Sequence, residues 1–339
     1  MAASLIAAAA VAAFAILTLL RARRRAVLAE TAWPPEGEPL TLGGVRLHAV
    51  VRGSGPDVVL IHGAAGSVRD FTFALLPKLA ERYRVIAIDR PGHGHSDRVA
   101  GADALSLQAR LLRQATAVLG AGCPIVVGHS YGASVALRWA LDAPGTLAGL
   151  VAVAPASHPW DTALPLYYRI TSHPLLRYPA NALIAAWAPQ TAVDSVVADV
   201  FAPDPVPGGY LAHFGPSMSA RLFPLIENAR QRRALKAELA AMAPRYRSIA
   251  VPVEIVQGER DRTVGLDHHA RALARDLPLS HLTVLPGHGH MPHHAAMEAV
   301  IRAVDRLAAE PPPDLPDREP PARPWVQMHR PARPPDAGR

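Results

Sequence analysis

Residues Val126-Val127-Gly128-His129-Ser130-Tyr131-Gly132-Ala133 join an apolar, β-branched run to a helical pattern through Gly-His-Ser-Tyr-Gly. A G-x-S-x-G spacing at such a junction sets a serine hydroxyl on a sharp turn, with glycines where side chains would collide with the adjoining backbone. The helix that follows offers backbone N–H groups to an anion. A serine hydroxyl is a weak nucleophile until a base takes its proton, and an imidazole base needs a carboxylate to fix its tautomer and stabilise its cation. Two stretches supply such groups. Gly258-Glu259-Arg260-Asp261 follows the apolar run 253–257, and Gly287-His288-Gly289-His290 follows the run 281–285. Read along the chain, the order is serine, carboxylate, histidine.

Those groups need a scaffold that gathers them at one edge. Apolar runs of strand length recur at 46–51, 58–62, 84–89, 125–129, 150–154, 253–257 and 281–285. Helical patterns lie at 71–82, 107–119, 133–142, 266–276 and 292–309. Short apolar strands alternating with helices predict a mostly parallel sheet covered on both faces. In such sheets, reactive groups collect beyond the carboxyl ends of the strands. The alternation fails over 157–249, which is proline-rich, has a helical pattern at 225–243 and reads as a helical insertion. It holds ten of the chain's eighteen aromatic residues, from Trp160 to Tyr246. Aromatics so placed either line a pocket or pack the insertion onto the sheet.

With these motifs in place, the stretch from about 40 to 309 resembles the α/β-hydrolase superfamily, in its esterase- and lipase-like serine branch with a cap. His62-Gly63-Ala64-Ala65-Gly66-Ser67 resembles the family's oxyanion loop, and Asp89-Arg90-Pro91-Gly92-His93-Gly94-His95-Ser96 its D-x-x-G-x-G-x-S loop. The resemblance implies Ser130 as nucleophile, His290 as general base and Asp261 as its carboxylate. It also implies the backbone N–H groups of Ala64 and Tyr131 as an oxyanion hole. His290 is preferred to His288 because the family's base directly precedes the last helix. Asp261 is preferred to Glu259, one residue early for the motif, and to Asp161, inside the insertion. His62, Asp89, His93, His95 and Asp97 read as loop-shaping residues, and His129 as a packing or substrate-contacting one. His293 and His294 are expected on the surface of the last helix. The histidines from 288 to 294 find no carboxylate or cysteine at close spacing, so no metal is expected; no cofactor is implied.

Serine at the elbow, where the family's dehalogenases and epoxide hydrolases carry aspartate, points to acyl transfer. A small lipophilic carboxylic ester is the expected substrate. C–C bond cleavage, thioester hydrolysis and perhydrolysis on the same fold are the alternatives within the family, and a non-catalytic ligand-binding protein is the alternative outside enzymes.

The chain has 339 residues and a formal charge of +7, four of whose positive charges lie in Arg21, Arg23, Arg24 and Arg25. What remains forms no basic stripe, so nucleic acid is not expected as a partner. Cys123 is the single cysteine, which excludes an internal disulfide and fits a reducing compartment. Residues 2–20 carry no charge, and nineteen helical residues span roughly 28 Å, about the thickness of a bilayer core. The arginines follow this run, so the positive-inside rule predicts an uncleaved anchor with its flank on the cytoplasmic side, a signal peptide or a peripheral helix being the alternative. The expected layout is an anchor at 1–25, a linker at 29–40, core at 40–156, cap at 157–249, core again at 250–309 and a disordered Pro/Arg-rich tail at 310–339.

Overall fold

The computed structural model describes residues 1–309; the expected tail at 310–339 lies outside them. Eight strands form one sheet: β1 (Glu38–Leu42), β2 (Val45–Arg52), β3 (Asp57–Ile61), β4 (Arg84–Ile88), β5 (Ile125–His129), β6 (Gly149–Val153), β7 (Val253–Gly258) and β8 (Ser280–Leu285). Their order is β1-β2-β4-β3-β5-β6-β7-β8. β1 and β2 pair antiparallel, β2 meets β4 antiparallel, and β4 through β8 run parallel. The central strands are buried on both faces, which is why Val-Val-Leu-Ile and Ile-Val-Val read as unbroken apolar runs.

β1 falls at the end of what the sequence suggested was a linker. Its burial runs exposed, exposed, buried, exposed, half-buried, and it carries Pro39, so its composition gives little strand signal. The expected helix over 71–82 is two short ones, α2 (Arg69–Thr72) and α3 (Leu75–Leu79), separated at Ala74, whose φ of −146° is not helical. Helices α4 (Leu105–Val118) and α5 (Tyr131–Asp142) pack on one sheet face. The opposite face is covered by α2, α3 and the last helix. That last helix is also two, α13 (Pro292–Ala295) and α14 (Met297–Ala309), broken at Ala296. α14 buries Val300, Ala303, Val304 and Leu307, the three-and-four spacing of a one-sided helix.

Between β6 and β7 lie six α-helices, α6 (Leu166–Thr171), α7 (Arg177–Trp187), α8 (Gln190–Phe201), α9 (Tyr210–Phe214), α10 (Pro216–Ser219) and α11 (Leu222–Met242), and then a 3-10 helix (Ala243–Ser248). After β7, a single π-type turn (Asp267–Arg271) leads into α12 (Ala272–Asp276). At the N-terminus, α1 (Ala2–Ala32) runs past the expected end of the anchor. Its apolar part is long enough to cross a membrane and is almost wholly uncovered by the rest of the chain. Its lower half packs against α7: Ala22 meets Ala185 and Ala186, and Phe14 stacks on Trp187 with ring centres 6.0 Å apart.

Candidate active site

The strand order reverses between β3 and β5. From β3 the chain steps outward to β4, then returns to place β5 on β3's other side. At such a switch point the loops leaving the two strands separate and open a crevice. The β3 loop carries Gly63 and Ala64, and the β5 loop carries Ser130. Ser130 sits at φ 52°, ψ −114°, a conformation that a non-glycine residue adopts only when its surroundings enforce it. Its own N–H donates to Val153 O on β6 at 2.9 Å. The turn is as tight as the motif requires: a Cβ at Gly132 would lie 2.1 Å from Ile61 O, and one at Gly128 2.6 Å from Ala133 Cα.

The structure brings Ser130, His290 and Asp261 into one line. Ser130 Oγ lies 3.0 Å from His290 Nε2, and His290 Nδ1 lies 2.7 Å from Asp261 Oδ2. Three further donors hold the Asp261 carboxylate: the Thr263 and Val264 N–H groups, each at 2.8 Å, and Gln257 Nε2 at 2.9 Å. A carboxylate so surrounded only accepts, which assigns the His290 proton to Nδ1 and leaves Nε2 free to accept from the Ser130 hydroxyl. Ala64 and Tyr131 border the same spot. Tyr131 is the first residue of α5, where a backbone N–H has no acceptor within the helix. Gly63 lies so close to the elbow that a Cβ on it would fall 3.3 Å from Ser130 Cβ.

The alternatives lie elsewhere. His288 faces Asp204, its Nδ1 at 2.9 Å from Oδ1. Glu259 accepts from the Gly287 N–H, and Asp161 is exposed. Asp89 shapes its loop by accepting from the Val68 and His95 N–H groups and from His48 Nδ1.

Two features were not foreseen. Arg90 is fully buried, and no carboxylate among the described residues pairs with it. It donates to His62 O, Gly63 O, Gln108 Oε1 and Gln231 Oε1, and lies over the Tyr131 ring. Burial pulls its pKa down to about 10. A cation held this way locks the β3 loop against the elbow. The D-R-P-G run was the only trace of it in the sequence.

The second is a buried cluster around Asp70. Tyr210 Oη and His294 Nε2 donate to Asp70 Oδ1, each at 2.8 Å, and His293 Nε2 donates to Oδ2 at 3.1 Å. His293 and His294 are therefore interior, contrary to the surface expected for them. Pro292 begins a separate short turn, α13, aimed at α2 instead of continuing the outer helix. Burial pushes the Asp70 carboxyl up, but the hydrogen bonds and field of His293 and His294 outweigh it and hold it well below the usual range. Burial lowers the pKa of His293, and that of His129 well below the usual imidazole range. His129 Nε2 donates to His290 O at 2.9 Å, tying the elbow to the His290 loop. Asp70, His129 and His293 also offer ligand atoms all within 4.8 Å of one another. The carboxylate that sequence spacing did not reveal comes from about 220 residues upstream of His293. Asp70 carries three hydrogen bonds that a metal would have to replace, whereas His129 Nδ1 is buried with no hydrogen-bond partner among the described residues.

A cavity of about 210 Å³ opens onto Ser130 and His290. Val196, Val197, Val200, Phe201, Phe214 and Met291 give it an apolar wall, and Tyr168, Asn228 and Arg232 add polar groups.

The chain is similar to known proteins over most of its length. An uncharacterised protein of Mycobacterium tuberculosis is 28% identical over 284 residues, 81% of each chain. The 2-(acetamidomethylene)succinate hydrolase of Mesorhizobium japonicum is 27% identical over 270 residues, 78% of this chain and 91% of the relative. Among solved structures, a membrane phospholipase A superposes with a TM-score of 0.65 at 20% identity, over 91% of this chain and 97% of that one. The model of the alpha/beta hydrolase family matches residues 58–304, from within β3 to within α14 and including every residue of the crevice, and the chain belongs to that family.

Proposed function

We propose that this protein is a serine hydrolase that cleaves a lipophilic carboxylic ester through an acyl-enzyme on Ser130. The observation that carries this reading is the unbroken hydrogen-bonded line from Ser130 Oγ through His290 to Asp261, at the mouth of an apolar cavity. In this reading His290 Nε2 takes the hydroxyl proton as Ser130 Oγ attacks the ester carbonyl. Asp261 stabilises the imidazolium that forms. The carbonyl oxygen becomes an oxyanion facing the Ala64 and Tyr131 N–H groups, each donor worth about 3–4 kcal/mol in the transition state. Collapse breaks the ester C–O bond, and His290 passes its proton to the leaving alkoxide. Water, deprotonated by the same imidazole, then frees the acid and regenerates Ser130.

The apolar wall suits an acyl or alkyl chain. α1 suits retention at a membrane, with Arg21–Arg25 on the cytoplasmic side. A membrane phospholipase A shares the fold over 91% of this chain, more than the family-matched segment spans. A fluorophosphonate probe should label the wild-type protein and not Ser130→Ala, and ester hydrolysis should fall to background in that variant. Retained hydrolysis by Ser130→Ala would sink the reading.

A further inference from the structure

Arg232 lines the cavity beside Ser130 and His290, and the acyl-transfer steps leave it without a task. It lies on α11 one turn after Asn228, whose Oδ1 accepts from the Ala65 N–H and so turns this face of the helix toward the β3 loop. Other arginines nearby are occupied. Arg230 pairs with Asp103 and Glu227, Arg98 with Glu227, and Arg233 reaches Ser172 O. Arg232 differs. Its guanidinium carbon lies 5.5 Å from the centre of the Trp160 ring and 5.4 Å from that of Tyr168. Among the described residues no acceptor takes a hydrogen bond from it, and the Asn228 amide NH₂ is likewise unspent.

Aromatic rings cover the faces of a guanidinium and leave its edge, where the N–H donors lie. An open edge is the geometry that grips a planar or tetrahedral oxyanion through two parallel N–H···O bonds. Partial removal from water strengthens such a contact relative to a surface ion pair. The wall opposes an anion at one point only, Asp70, whose carboxylate is already bound by Tyr210, His293 and His294. The apolar wall is built from other elements, with Phe201, Tyr210, Phe214 and Met291 forming their own cluster. The cavity therefore offers an apolar surface and, from separate elements, a cation with free donors.

We propose that Arg232 is an anion-recognition point, and that the substrate is an ester with one apolar part and one part bearing a carboxylate or phosphate oxyanion. This rests on the ester-hydrolase reading of Ser130, and binding separates the two claims. Full-length Ser130→Ala protein is titrated calorimetrically with mono-octyl phosphate and with octanoate. Binding should weaken at least tenfold when Arg232→Gln is added, and Arg232→Lys, which keeps the charge without the fork, should recover part of it. Catalysis is compared on two matched pairs: lysophosphatidylglycerol against monoacylglycerol, and a monoester of a dicarboxylic acid against its diester. Arg232→Gln should lower the anionic-to-neutral ratio of kcat/KM at least tenfold, mainly through KM. The pair that responds identifies phosphate or carboxylate as the natural group. A ratio unchanged in both pairs, or binding of both mono-octyl phosphate and octanoate that is indifferent to Arg232, overturns the proposal. If the anion binds through Arg232 while no ester is cleaved, the anion site stands and the ester reading fails.

Discussion

At the scale of single residues, the proposed chemistry depends on one proton being on the correct nitrogen. Asp261 accepts from His290 Nδ1 and from three other donors, so it fixes both the tautomer and the ring orientation of His290. Asn at this position keeps the shape but offers an NH₂ that can donate to Nδ1, which places the proton on Nε2 and faces Ser130 with a donor. Asp261→Asn should therefore lower kcat by about 10⁴ with little change in KM, the size seen when this tautomer is lost in serine hydrolases. Steady-state kinetics on a chromogenic ester, with circular dichroism to show that the fold is kept, tests this; a loss under tenfold would remove Asp261 from the role. These residues were visible in the sequence because each follows a strand-length apolar run with glycine nearby: Gly128 and Gly132 around Ser130, Gly258 before Asp261 and Gly289 before His290. Asp70 was not. Its meaning lies in Tyr210, His293 and His294, which reach it across 140 to 224 positions of chain. No local pattern marks a buried carboxylate whose partners are assembled only by packing.

At the scale of elements, legibility followed burial. The strands from β3 to β7 are buried on both faces and appear as apolar runs, whereas β1 is a half-exposed edge strand and passed for linker. Broken helices were harder: Ala74 and Ala296 leave helical geometry, although alanine itself favours helix. The relation between α1 and α7 was not legible at all. Arg21 Nε donates to Ala186 O at 2.8 Å, and Arg25 donates to Ala186 O and Ala188 O at 3.1 and 2.7 Å. These cations sit on the last carbonyls of α7, where the helix dipole is negative and the carbonyls lack helical partners. Trp187 Nε1 donates to Thr18 Oγ1, and Arg21 lies over the same indole ring. Thus the arginines, which the sequence presented only as a topogenic flank, also dock α1 onto the insertion. Removing both by Arg21→Ala and Arg25→Ala should loosen the end of α7 by about 2–4 kcal/mol, three charged hydrogen bonds of about 1.5–3 kcal/mol each being discounted for the solvent that reaches these arginines. Hydrogen exchange in the last turn of α7 should speed up at least tenfold in the double variant, with sheet amides unchanged. Exchange there that ignores the substitutions would mean that α1 is not docked.

For the whole molecule, the number of buried imidazoles sets the pH range over which the fold holds. Burial, aided by Arg90, lowers the His62 pKa to about 4, and burial with His268 and His158 lowers that of His269 to about 3. Burial likewise depresses His93, His129 and His293. All five are neutral in the folded chain and take up a proton near pH 6.5 once unfolded. Their contribution to stability is therefore complete above pH 6.5 and declines as pH falls toward the folded values. Each costs about 1.4 kcal/mol per pH unit in that window. Asp70 and Asp89, held below their usual range, act in the same direction only below about pH 4. His62 and His269, whose folded values lie near 4 and 3, together lose about 3 kcal/mol per pH unit, and His93, His129 and His293 act in the same direction, against a total stability of about 5–15 kcal/mol for a typical domain. Acid unfolding should thus begin near pH 6 and finish above pH 4, before the carboxylates titrate. Urea midpoints measured from pH 8 to pH 4.5 should be flat to about pH 7 and then fall steeply, and the fall should become shallower in His269→Gln. A midpoint that holds level to pH 5 would show that these imidazoles protonate within the folded protein. The cluster linking the Ser130 turn to the His290 loop would then open without global unfolding, and acid inactivation would be a local event.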